Sequence, residues 1–203
     1  MKPTTVFLRS CGLTVLLAGA FNSYAGVYVK NPDDPRYYAE ETKCKQQQVD
    51  AETQYANDKL RCKGDQYCLT KAGNTFQAAR NNVLICRNNN DGTHKKAIID
   101  FRRASESKRV TGTTPQVKAE NLRHFNAETT FQKEVVDADT QYANNKILCD
   151  TDFLSAAPSK DSYCMKQAAS KYADAQLQIQ IQRNTEDGTH RKNLIAIARS
   201  DQE

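Results

Sequence analysis

Cys44-KQQQVDAETQYANDKLR-Cys62-KGDQY-Cys68-LTKAGNTFQAARNNVLI-Cys86 is the stretch that decides the fold. Cys44 and Cys62 are 18 positions apart, Cys62 and Cys68 six, Cys68 and Cys86 again 18. At about 3.6 residues per helical turn, an 18-residue step is about five whole turns. The two cysteines of each arm therefore point the same way if the arm is a helix. Folding the arms together at Lys63–Gln66 brings Cys62 to Cys68 and Cys44 to Cys86. The spacing predicts an antiparallel helical hairpin, stapled at its tip and at its base.

Working outward, the long first helix is expected over 38–62 and the second over 67–87. Asn88-Asn89-Asn90-Asp91-Gly92 reads as a break, because Asn, Asp and Gly favour turns over helix interiors. A short third helix follows over 94–104, then a Ser/Thr/Gly-rich linker over 105–116 closed by Pro115. Upstream, Pro32 and Pro35 mark 26–37 as an extended arm. Residues 1–25 have the layout of a secretory signal peptide: Lys2 and Arg9, an apolar run over 11–21, and Ser23-Tyr24-Ala25 as a cleavage site. The apolar run is shorter than the ~20 residues needed to span a bilayer. Cys11 opens that run and does not follow it, which argues against a lipidated cysteine.

Beyond the linker the programme runs again. Val49-DAETQYAND-Lys59 returns as Val136-DADTQYANN-Lys146, and Asp91-GTHK-Lys96 returns as Asp187-GTHR-Lys192. The first match has an offset of 87 and the second of 96. The difference falls in the hairpin tip, which has lengthened to Cys149–Cys164. We read this as an internal duplication, 38–104 and 117–203. The fold class expected is all-α: two tandem repeats, each a disulfide-stapled antiparallel hairpin plus a short third helix.

The duplication also fixes the cysteine pairing. Without the leader six of the seven cysteines remain, an even number that suits a disulfide framework in an exported chain. The second copy keeps the tip pair but has Phe131 and Gln182 where the first has Cys44 and Cys86. Two cysteines lost together are two cysteines that bond together. One straight helix also keeps Cys44 from Cys62, and Cys68 from Cys86, beyond the ~7 Å that a disulfide tolerates. The pairing is thus Cys44–Cys86, Cys62–Cys68 and Cys149–Cys164. Steps of three and four define a seam between the arms. In the first hairpin it runs through Cys44, Gln48, Ala51, Tyr55, Lys59 and Cys62, facing Cys68, Ala72, Phe76, Ala79, Val83 and Cys86. The second hairpin repeats it from Phe131 to Cys149 and from Cys164 to Gln182.

Charge excludes little. Loss of the leader leaves 27 basic and 24 acidic residues, too mild an excess to argue for nucleic acid. The basic stretch Arg102, Arg103, Lys108 and Arg109 lacks interleaved aromatics and reads as solvated charge. A zinc site on the first four cysteines would need Cys-x2–4-Cys knuckles, and the gaps here are 17, 5 and 17. No Cys-x-x-Cys pair, Gly-x-Ser-x-Gly elbow, phosphate loop or His-Glu-x-x-His is present. No cofactor or catalytic set is expected.

Candidate sites are three. The two Asp-Gly-Thr-His corners place His94, Lys95 and Lys96, and again His190, Arg191 and Lys192, at expected helix starts. Thr93 and Thr189 would cap those helices, and the free amides beside basic side chains would suit a small anion. Metal binding through Asp91/His94 and Asp187/His190 is the alternative there. The third site is the long second tip, 150–163, whose Phe153 and Leu154 form an apolar knob for a partner or fold back on the helix ends. His124, among polar neighbours, reads as solvated.

The Asp-Ala-(Asp/Glu)-Thr-Gln-Tyr-Ala-x-x-Lys motif, followed by a Cys pair and an Ala-rich helix, resembles small exported bacterial proteins loosely labelled TolA-like. The resemblance covers 39–87 and 127–182 and implies an envelope location without a defined activity. The nested pairing is similar in logic to twin Cys-x9-Cys hairpins, at twice the spacing. The expectation is therefore a periplasmic or secreted non-enzymatic protein that contacts another protein or an envelope component. A small-anion or metal binder, or a periplasmic hydrolase, is the competing class. The sequence leaves open the oligomeric state and whether the two hairpins share one body.

Overall fold

A computed structural model describes residues 35–151 and 158–200 of the chain. Four helices follow one another: α1 (Pro35–Cys62), α2 (Gln66–Ser107), α3 (Pro115–Thr151) and α4 (Pro158–Ser200). The described helices fall within one compact unit, Asp33–Glu203. Each helix packs chiefly on its neighbour in sequence, α1 on α2, α2 on α3 and α3 on α4. The two hairpins therefore share one body, joined along α2 and α3. The expected leader (1–25) and most of the expected arm (26–34) lie outside the described residues, as do Phe153 and Leu154. Of the expected arm, Pro35, Arg36 and Tyr37 already belong to α1.

The cysteines pair as the spacing predicts. Cys44–Cys86, Cys62–Cys68 and Cys149–Cys164 are bonded, with Cα separations of 5.9, 5.4 and 5.6 Å. The seam is equally direct. Cys44, Cys62, Ala72 and Val83 are buried in the first hairpin, and Ala138, Cys149, Ala168 and Ile179 in the second. Such a core holds few large side chains, so the sulfur bridges stand where Leu or Phe would otherwise supply burial. Small Ala residues let the rods approach while stacked rings fill the space between. Tyr55 stacks on Phe76 at 4.5 Å, and Tyr142 on Tyr172 at 4.7 Å. Lys59 and Lys146 each lie over the tyrosine one turn earlier, at 5.5 and 4.8 Å. The Tyr172 hydroxyl donates to Asp139 at 2.6 Å, and that bond, with burial, raises its pKa.

The first tip is a three-residue reversal. Lys63 and Gly64 take the left-handed conformation (φ 51° and 89°), and Asp65 then caps α2 by accepting the Cys68 amide at 2.6 Å. Between α2 and α3 the expected linker contracts to 108–114. Thr114 caps α3 through the Val117 amide, with Pro115 in the first helical position. Asn121 ties the turn down by donating to the Thr111 carbonyl at 2.7 Å.

One expectation is overturned. Asn88–Gly92 does not break the helix, and there is no separate short third helix: α2 runs unbroken for 42 residues and α4 for 43. Asn and Gly lower helix propensity by about 0.7 and 1 kcal/mol each, but here tertiary bonds offset the deficit. Asn88 donates to Asn144 Oδ1, Asn144 donates to Asn89 Oδ1, and buried Asn90 donates to the Tyr37 carbonyl. Asn81, also buried, reaches the Ile147 carbonyl. Gly92 allows a close approach of α2 to α3: a Cβ there would lie 2.5 Å from Thr140 Oγ1. What reads as a loop is a polar helix–helix interface.

Candidate functional site

Because α2 and α4 are continuous, the Asp-Gly-Thr-His segments lie in helix interiors. Thr93 and Thr189 cap nothing; their hydroxyls donate back to the Asn89 and Thr185 carbonyls four residues earlier. The amides that were to hold an anion are consumed by the helix. The basic residues also disperse. Lys96 pairs with Asp137 on α3 at 2.6 Å, Arg191 donates to the Asp187 carbonyl on its own helix, and Lys192 is exposed.

What forms instead is a histidine station in each hairpin. In the first, the Tyr37 hydroxyl donates to Asp91 Oδ1 at 3.1 Å, and its ring lies 4.4 Å from the His94 ring. In the second, His124 Nε2 lies 2.8 Å from Asp187 Oδ1, and its ring stacks on His190 at 4.2 Å. His124 thus occupies the place of Tyr37, 87 positions on. It is not the solvated side chain that its polar neighbours suggested. Tertiary packing on α4, invisible to a local reading, is the reason.

The two stations differ in charge. His190 Nδ1 lies 3.0 Å from Glu120, a buried carboxylate that also receives two hydrogen bonds from Arg123, at 2.9 and 2.8 Å. Arg123 reaches Glu186 on α4 at 2.7 Å as well. The Arg123 bonds hold Glu120 at a pKa of about 2; burial works against them, and the His190 and Asn193 bonds add to them. Glu120 in turn raises the Arg123 pKa. At the first station His94 Nδ1 is buried and makes no hydrogen bond. Beside it opens a cleft of about 340 Å³ lined by Arg36, Tyr37, Glu40, Asn90, His94, Lys96 and Asp100 among others. Among the described residues no group of three His, Cys, Asp or Glu is placed to hold a metal ion.

Further pairs recur that a local reading of the sequence misses. Arg87 pairs with Glu41 at 3.6 Å, and Arg183 grips Glu128 through two bonds of 3.1 and 2.7 Å. Offsets of 87 and 96 connect these pairs too, so applying both offsets to every charged residue would have found them. Arg103, read as solvated, lies 3.4 Å over the Phe125 ring and donates to the Phe125 carbonyl and to Thr129. Comparison gives no relative. No protein-family model, no curated protein and no solved structure matches this chain.

Proposed function

We propose that the chain is an exported helical protein that works by contact with another protein or an envelope component, without catalysing a reaction. One observation carries this reading. The outward faces of α1 and α4 expose Val49, Leu60, Leu177, Ile181 and Ile195 on rigid, disulfide-braced rods. Apolar side chains presented in rows along stiff helices are the usual raw material of helix-mediated recognition. Disulfides belong to oxidising compartments, and no described helix is long and apolar enough to cross a membrane. Crosslinking in the intact envelope, followed by mass spectrometry, tests the reading. Reproducible links from α1 or α4 lysines to a macromolecular neighbour support it; a chain that yields no intermolecular link overturns it.

A second reading keeps one observation of its own, the unpartnered Nδ1 of His94 beside the 340 Å³ cleft. A small anion held there would give heat in calorimetry with phosphate, lost in a His94→Ala/His190→Ala double variant. No heat in the parent protein removes this reading.

A further inference from the structure

Inside the molecule α2 and α3 meet along a polar interface whose two sides have near copies on the outward faces of α4 and α1. Adding 96 carries the α2 side to α4, and subtracting 87 carries the α3 side to α1. Asn88–Asn144 then becomes Asn184 facing Asn57. The close approach of Gly92 to Thr140 becomes Gly188 facing Thr53. Lys96–Asp137 becomes Lys192 facing Asp50. Asn81 beneath Ile147 becomes Leu177 facing Leu60, an apolar pair now 56% and 78% exposed. Arg103 over Phe125 becomes Arg199 facing Tyr38.

The most telling position is one where identity is lost. Lys133 pairs with Asp100 in the internal interface. The equivalent residues are Gln46 on α1 and Ala196 on α4, so both charges disappear together and neither outer face carries an unanswered one. Gly188 strengthens the case. A Cβ there meets nothing within 4 Å, although glycine in a helix interior is less stable than alanine. Within its own chain nothing demands that glycine; at Gly92 the neighbouring helix does.

The geometry points to a second copy of this chain as the occupant of these faces. The α1 helix of one copy lies on the α4 helix of the next and continues the α2–α3 interface from molecule to molecule. The contact is heterologous, head to tail, and generates a ring or an open stack. This inference deepens the contact reading above and rests on it.

Sedimentation of the oxidised chain over a range of concentrations tests it, with Thr53→Arg and Gly188→Arg as variants that block one face each. Circular dichroism confirms that each variant remains helical. The parent should grow in mass with concentration, and each variant alone should stay a single chain. Mixed, the two variants should stop at a pair, because each retains one usable face. Asp50→Lys should weaken assembly, and adding Lys192→Asp in the same chain should restore it. A parent that remains a single chain throughout, or an assembly indifferent to Thr53→Arg and Gly188→Arg, overturns the inference. Should envelope crosslinks still arise from α1 or α4 of a solitary chain, self-assembly fails and the contact reading survives. If those links are missing too, both fall.

Discussion

Gly92 and Gly188 lie in matching Asp-Gly-Thr-His segments but in different settings, and they separate local from tertiary demands. At Gly92 a methyl group would press on Thr140, whose hydroxyl is already bonded to the Val136 carbonyl. Gly92→Ala should therefore lower stability by roughly 1–3 kcal/mol, as overpacking does. Gly188→Ala, in dilute solution, should raise it by up to about 1 kcal/mol. Urea denaturation of the two variants decides this, and equal shifts of one sign would refute the close packing of α2 against α3 as the reason for Gly92. Glu120 gives a second residue-scale test. Its folded pKa of about 2 lies below the ordinary 4.5, so its contribution is complete above about pH 5 and is lost as pH falls towards 2. Between pH 6 and pH 3 the parent should lose about 1 kcal/mol through this group, a figure reduced because Arg123 is partly exposed. In Glu120→Gln that share of the pH dependence should be missing from paired denaturation curves. Residue roles were the least legible part of the sequence. Asn88, Asn90 and Gly92 are poor helix formers, and only partners about 50 residues away outweigh that local preference.

Elements were far more legible, for a covalent reason. The 18-residue spacing of the cysteines suits helices of matching phase, and Phe131 and Gln182, both at the offset positions of Cys44 and Cys86, name the bond. The ends of α2 and α4 were misjudged because Asn/Asp/Gly composition speaks for an isolated segment, not for one bonded to a neighbour. The bridges also rank by the loop each closes. By chain entropy, the 42-residue separation of Cys44–Cys86 corresponds to about 4 kcal/mol. The six-residue separation of Cys62–Cys68 corresponds to about 2 kcal/mol. A Cys44→Ala/Cys86→Ala variant should thus melt well below a Cys62→Ala/Cys68→Ala variant. The reverse order in calorimetry would show that the tip, with its left-handed Lys63, holds the hairpin together.

At the scale of the whole molecule, contacts run between helices that follow one another, so few distant segments must meet during folding. Such a topology favours rapid assembly, and stopped-flow refolding of the oxidised chain should be complete within milliseconds. A phase lasting seconds would point to a step other than hairpin closure. The absence of a base bridge in the second hairpin has a mechanical consequence. Under tension applied at residues 35 and 200, sulfur locks the 42-residue segment between Cys44 and Cys86, while the second hairpin is free to release chain up to its tip bridge. At about 3.5 Å per extended residue, the lock withholds close to 150 Å of contour. An optical trap would see that length released only once a reductant is added, making the molecule a spring with one coil soldered shut.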